Sequence, residues 1–129
     1  MKYKRKAIPK AIRLKVYEKC NGSCAYCGEE LTIKTVQIDH LHPMCRPIQS
    51  YNNIKSHDDF LNLMPACRQC NFYKGSETLK QFRTSMKTLH ERIMQPFISR
   101  LGIKYSIIEI KPWDGIFYFE KLNGEEDGK

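Results

Sequence analysis

Two pairs of cysteines share one spacing: Cys24-Ala-Tyr-Cys27 and Cys67-Arg-Gln-Cys70. Two residues between thiolates let both sulfurs reach one ion at about 2.3 Å, and two such pairs complete a tetrahedral zinc site. A lone C-x-x-C could serve redox chemistry; a pair of them points to a metal. The six cysteines could instead form three disulfides in a secreted scaffold. No apolar segment of a secretory signal follows the basic start MKYKRKAIPK, which sets that account aside. Cys20 and Cys45 are left over as partly buried free thiols. Gly28 follows the first knuckle, where a tight turn needs a permissive residue.

Between the knuckles lie residues 28–66, 39 in all. Ordinary zinc ribbons place their knuckles about 15–20 residues apart, so this insert must hold structure of its own. It contains Asp39-His40-Leu41-His42-Pro43, and Asn71 directly follows the last knuckle cysteine. A zinc ion joining the knuckles would bring Asp39 and His40 towards Asn71. Aspartate and asparagine offer hard oxygen ligands, which suit Mg²⁺ or Mn²⁺ better than a soft metal. A histidine beside them, facing a phosphate, can take a proton from water near neutral pH.

These side chains need elements to position them. Pro9 suits the start of a helix, and Ala11, Ile12, Val16 and Tyr17 follow at helical spacing up to Asn21-Gly22. Leu31–Thr35 and Val36–His40 are rich in β-branched residues and read as a β-hairpin, although Lys34-Thr35 is poor turn chemistry. Pro43, Pro47, Asn52 and Asn53 mark residues 43–61 as a long surface loop. A short helix over about 66–75 carries the second knuckle. Thr78 can cap a long helix over 79–100, in which Leu79, Phe82, Met86, Leu89, Ile93 and Phe97 step by three or four. Pro96 should kink that helix or end it early. Its stripe reads as core contact, with a dimer seam as the alternative. Tyr105–Lys111 and Ile116–Leu122 flank Pro112-Trp113-Asp114-Gly115 and suggest a C-terminal β-hairpin. The acidic end, 123–129, reads as disordered. The expectation is a single α+β domain over 1–129.

The composition agrees with a soluble globular chain: 129 residues, 41% hydrophobic and 28% charged. No apolar run approaches the length of a membrane-spanning helix, so the expected location is cytoplasmic, with no membrane partner. The net charge is +8 and the pI near 9.2, which points to a polyanionic partner, nucleic acid first. Residues 1–15 are basic with no acidic residue. Lys4, Arg5 and Lys6 are candidates for nucleic-acid contact; a solvated tail is the plainer account.

The run Cys24-x-x-Cys27, Asp39-His40-x-x-Pro43, Asn62-Leu63, Cys67-x-x-Cys70-Asn71-x-x-Lys74-Gly75 resembles the HNH endonuclease family, with its ββα-metal finger. The likeness covers a core of about 13–76; residues 77–122 form an extension outside it. It implies roles position by position. His40 matches the general base that activates water, and Asp39 the acidic metal ligand before it. Asn62 matches the middle asparagine, which braces the loop and orients the base. Asn71 stands where the family name has its last histidine, a variant in which the asparagine binds the metal. His42 resembles a second histidine of the junction-resolving members, which implies a contact to the scissile phosphate. Lys74 matches the basic position of the C-N-x-x-K ending and implies a phosphate contact. Outside that frame each residue has an ordinary account: a surface Asp-His pair, a helix-capping asparagine, a local hydrogen bond for His42. His57 and His90 read as surface residues, and Asp58-Asp59 as a turn or cap.

The resemblance implies an endonuclease that hydrolyses phosphodiester bonds in DNA, with His40 as base and one Mg²⁺ or Mn²⁺ on Asp39 and Asn71. Zinc on the four cysteines would then be structural. The alternative is a non-catalytic zinc module that binds nucleic acid or serves assembly. It would need the knuckles and the charge, but not Asp39, His40 and Asn71 together. A homodimer or a larger phage or mobile-element complex is compatible with either account.

Overall fold

The computed structural model describes residues 7–44 and 56–124. Lys4, Arg5, Lys6, Cys45 and most of the acidic C-terminus lie outside them. Helix α1 runs over Lys10–Glu18 with Pro9 at its N-cap, and Asn21 and Gly22 at positive φ end it as expected. It buries Val16. Lys19, just past its end, donates to the carbonyls of Phe60 and Leu63, each at 2.8 Å, tying α1 to the centre of the fold.

Among the described residues the sheet is a single antiparallel pair, β1 (Gln37–His40) with β2 (Leu63–Ala66). Asp39 stands opposite Met64 and His40 opposite Leu63. The hairpin expected over 31–40 is therefore corrected: β1 takes its partner from residues 63–66 instead. Residues 32–35 form a turn in which Thr35 N–H donates to both the carbonyl and the hydroxyl of Thr32. Such threonine side-chain bonds compete with a strand ladder. A 3₁₀ turn, Phe60–Asn62, leads into β2, and helix α2 (Arg68–Lys74) follows it.

The first knuckle docks on the far edge of β2 through Ala25 N–H to the Pro65 carbonyl, 2.8 Å. Gly28 has φ +81°, and a Cβ there would come within 3.0 Å of the Tyr118 ring, so the position needs glycine twice over. Tyr26, Phe82 and Phe117 meet in the core, with Tyr26 edge-on to Phe82 at 5.3 Å.

The expected long helix is three: α3 (Leu79–Lys87), α4 (Leu89–Ile93) and α5 (Phe97–Lys104). Thr78 and Gln81 form the N-terminal capping box of α3. Thr88 interrupts the run, and Pro96 caps α5 instead of continuing α4. Only the first part of the apolar stripe serves the core: Phe82 is buried, whereas Ile93 and Phe97 are exposed.

The C-terminal hairpin is also corrected. Residues 105–117 pair with no strand among the described residues, and Tyr118–Leu122 form helix α6. The β-branched run at 107–110 meets no open sheet edge; Ile107 N–H turns back to the Gly102 carbonyl instead. Glu120 accepts from Phe117 N–H, starting the helical turn, and Arg83 grips its carboxylate with two bonds of 2.7 and 2.6 Å. Phe119 N–H to the Ala25 carbonyl then fastens this segment over the first knuckle. Among the described residues no helix is long and apolar enough to cross a membrane.

Candidate active site

The turn after Ser23 and the start of α2 bring Cys24, Cys27, Cys67 and Cys70 together. Their sulfurs all lie within 4.8 Å of one another, and Cys27 Sγ is 3.8 Å from Cys67 Sγ. Four thiolates at about 2.3 Å from a central zinc stand about 3.8 Å apart, so the arrangement fits a tetrahedral thiolate site. The Cys24 thiol is lowered to about 5, chiefly by a hydrogen bond from Cys70 and against the cost of burial. Cys70 is pushed up first by the same bond, and Cys27 is raised to about 11 first by burial. Cys20 is a separate buried thiol, its pKa raised by desolvation.

Asp39 is buried, with Oδ2 accepting from Tyr26 Oη at 2.5 Å and paired with Lys74 Nζ at 3.0 Å. Burial, then the Asp39 charge, hold the Tyr26 phenol well above its usual range. Both contacts fall on Oδ2, so Oδ1 is the oxygen to offer a cation. Lys74 is itself only 1% exposed and also donates to the His40 carbonyl at 3.0 Å. Its ammonium points inward, so the phosphate contact expected of it does not fit its position. Asn71 lies one turn before Lys74 on α2, and its Nδ2 donates to Gln37 Oε1 at 2.8 Å. Gln37 and Asp39 share a face of β1, as residues two apart in a strand must. That alternation could have marked Gln37 in the sequence.

His40 is 5% exposed, and its Nε2 lies 3.0 Å from Asp58 Oδ1. His40, Asp58, Asn71 and Gln37 line one cleft of about 500 Å³, with Arg13 and Lys34 also on its wall. Asp58 had only a turn or cap role in the sequence; its position four residues before Asn62 was the one local cue. Lys34 carried no cue.

Asn62 is fully buried and clamps the loop. Its Oδ1 accepts from His42 N–H at 2.7 Å, and its Nδ2 donates to the carbonyls of His42 and His57. The His42 ring stacks on that of His57, centroids 6.1 Å apart. Asn62→Ala strips partners from three backbone groups, each costing about 1–3 kcal/mol when left unpaired. Denaturant melts should show a loss of at least about 2 kcal/mol; a loss within error would mean that water replaces the clamp.

The model of the HNH endonuclease family matches residues 24–77. No curated protein matches the chain. Among solved structures, the Type II-C Cas9 enzyme from Actinomyces naeslundii is similar in fold, at 22% identity and a TM-score of 0.50. The match covers 79% of this chain and 12% of that one, so the chain spans about an eighth of the larger protein's length.

Proposed function

Taking residues 24–77 as an HNH endonuclease domain, we propose that the chain hydrolyses phosphodiester bonds in DNA with His40 as general base. The observation that carries this reading is one cleft lined by both His40 and Asn71, with Asp39 next to His40 on β1 and paired to α2. His40 draws a proton from water, and the hydroxide attacks the phosphate in line, leaving 5′-phosphate and 3′-hydroxyl ends. Asp39 through Oδ1, and Asn71 through its carbonyl oxygen, are the residues to hold Mg²⁺ or Mn²⁺. When bound, that ion stabilises charge on the phosphate and on the leaving oxygen. His42, whose backbone the Asn62 side chain holds, is the residue we assign to contact with the scissile phosphate. Zinc on the four cysteines holds the fold and takes no part in the chemistry.

The non-catalytic module remains the second reading. The Lys74 ammonium already seated on Asp39 favours it, since that carboxylate carries a cation of the protein's own.

Incubation with supercoiled plasmid, linear duplex, branched DNA and RNA separates the two. Cleavage of at least one DNA substrate with Mg²⁺ or Mn²⁺, abolished by EDTA, is the expected result. Binding should weaken steeply as salt rises, because phosphate contacts release counterions. Folded, zinc-loaded protein that binds DNA yet cuts none of these would leave the binding module. RNA cut in place of DNA would change the substrate and keep the chemistry.

A further inference from the structure

We propose that the exposed apolar face of α5 docks on the same face of a second copy of this chain, so that the protein pairs as a homodimer. The pairing goes beyond the nuclease reading and does not depend on it. Ile98, Leu101 and Tyr105 follow Phe97 at offsets of one, four and eight, so the four share one side of α5, about 100° wide. Ile108 extends that side. The chain turns back after the helix, with Ile107 N–H donating to the Gly102 carbonyl at 2.8 Å. A Cβ on Gly102 would stand only 3.1 Å from Ile108 Cγ1, so this side chain lies against the helix. Phe97, Ile98 and Tyr105 are 69%, 73% and 69% exposed, and Leu101 and Ile108 are exposed as well.

This side of the helix does not serve the core: α4 and α5 bury none of their own residues. An eight-residue helix with a glycine inside it is marginal by itself and draws its stability from packing. The five side chains leave roughly 600 Å² open, the upper end of what a monomer exposes in one patch. Two copies face to face would bury about 1,200 Å², above the roughly 1,000 Å² that a specific interface needs. The composition also suits the centre of an interface, with two aromatic rings and no charge on the face itself. Arg100 and Lys104 stand along its flank, and each chain carries +8. Two copies therefore repel at long range and pair through apolar contact. Salt screens that repulsion, so salt should tighten the dimer while it loosens DNA. An acidic partner on the same face would show the opposite dependence.

Sedimentation velocity of the zinc-loaded full chain, over a dilution series at low and at high salt, tests the pairing. A reductant is present so that no disulfide between chains mimics it. Native protein should form a dimer whose share grows with concentration and with salt. Ile98→Glu places a carboxylate in the contact and should raise the dissociation constant at least about 30-fold, the loss expected at the centre of an interface. Phe97→Ser is a gentler change and should raise it about 10-fold or more. Neither side chain is buried, so both variants should melt like the native protein. Ile33→Glu, the same change on the exposed turn at 32–35, should leave the dimer as it is. Native protein that stays a monomer at every concentration and salt overturns the inference and gives the face to a different partner. A dimer that neither α5 variant weakens, or that dissociates as salt rises, overturns it as well.

Discussion

A Cys67→Ser protein is expected to lose most of its folded population. Cys67 has three jobs in one residue. It directly follows β2, it is the N-cap of α2 with its sulfur accepting from Cys70 N–H at 3.4 Å, and it supplies one corner of the thiolate cluster. Serine can still cap the helix, so the change isolates the metal. Binding of structural zinc by small fingers is worth about 10–16 kcal/mol near neutral pH, and most of that is folding free energy. The sheet here is one pair of four-residue strands, which alone would be marginal. Native protein should contain about one zinc per chain. Because thiols must lose protons to bind metal, zinc should leave as pH falls. Zinc content and circular dichroism, read together from pH 8 to pH 5, check both statements. A Cys67→Ser protein that melts like the native one, or native protein that is folded and active without zinc, would refute them.

His40→Ala should slow cleavage by about 10²–10⁴-fold, the usual contribution of general-base catalysis. It removes the base and leaves the oxygens of Asp39 and Asn71, so binding of Mn²⁺ and of DNA should survive. Asn71→Ala should instead raise the Mg²⁺ or Mn²⁺ concentration needed for activity as well as slow the reaction. Combining the two should cost much less than the product of the single losses, because residues that act as a unit are not additive. None of these side chains belongs to the thiolate cluster, so each variant should keep its zinc. Nicking rates across a metal titration, with thermal melting beside them, measure all of this. A folded His40→Ala protein cutting at the native rate would move the activity elsewhere.

The cysteine knuckles were legible because ligand spacing is a local matter: two residues between sulfurs constrain the chain whatever surrounds it. The order of Asp39, His40 and Asn71 was legible through family resemblance. The partner of β1 was not. Leu63-Met64-Pro65-Ala66 contains a proline and no alternation, and all four residues are buried, so the usual strand signals are missing. At 107–110 the error ran the other way: strong β propensity met no edge to pair with. Lys74 was expected to contact phosphate, because its buried partner is 35 residues away in sequence and leaves no local signal. Asp58 was ambiguous for the same reason, since its meaning lies in a contact to His40 across the loop.

Asp39 meets α2, whereas its neighbour His40 meets the loop, because successive strand residues face opposite ways. Sliding β1 past β2 by one residue would exchange the two and invert the site while keeping every residue. The frame is set at one end by the Asn62 clamp and at the other by Ala25 on the Pro65 carbonyl. The chain between the strands is then free to vary in length, since each doubling of a loop costs only about 0.6 kcal/mol. Deleting one residue within 63–66 would be far more damaging than adding ten between 44 and 56. Descent of this domain should therefore tolerate insertions between 44 and 56 and forbid frameshifts of a single position in the short strands.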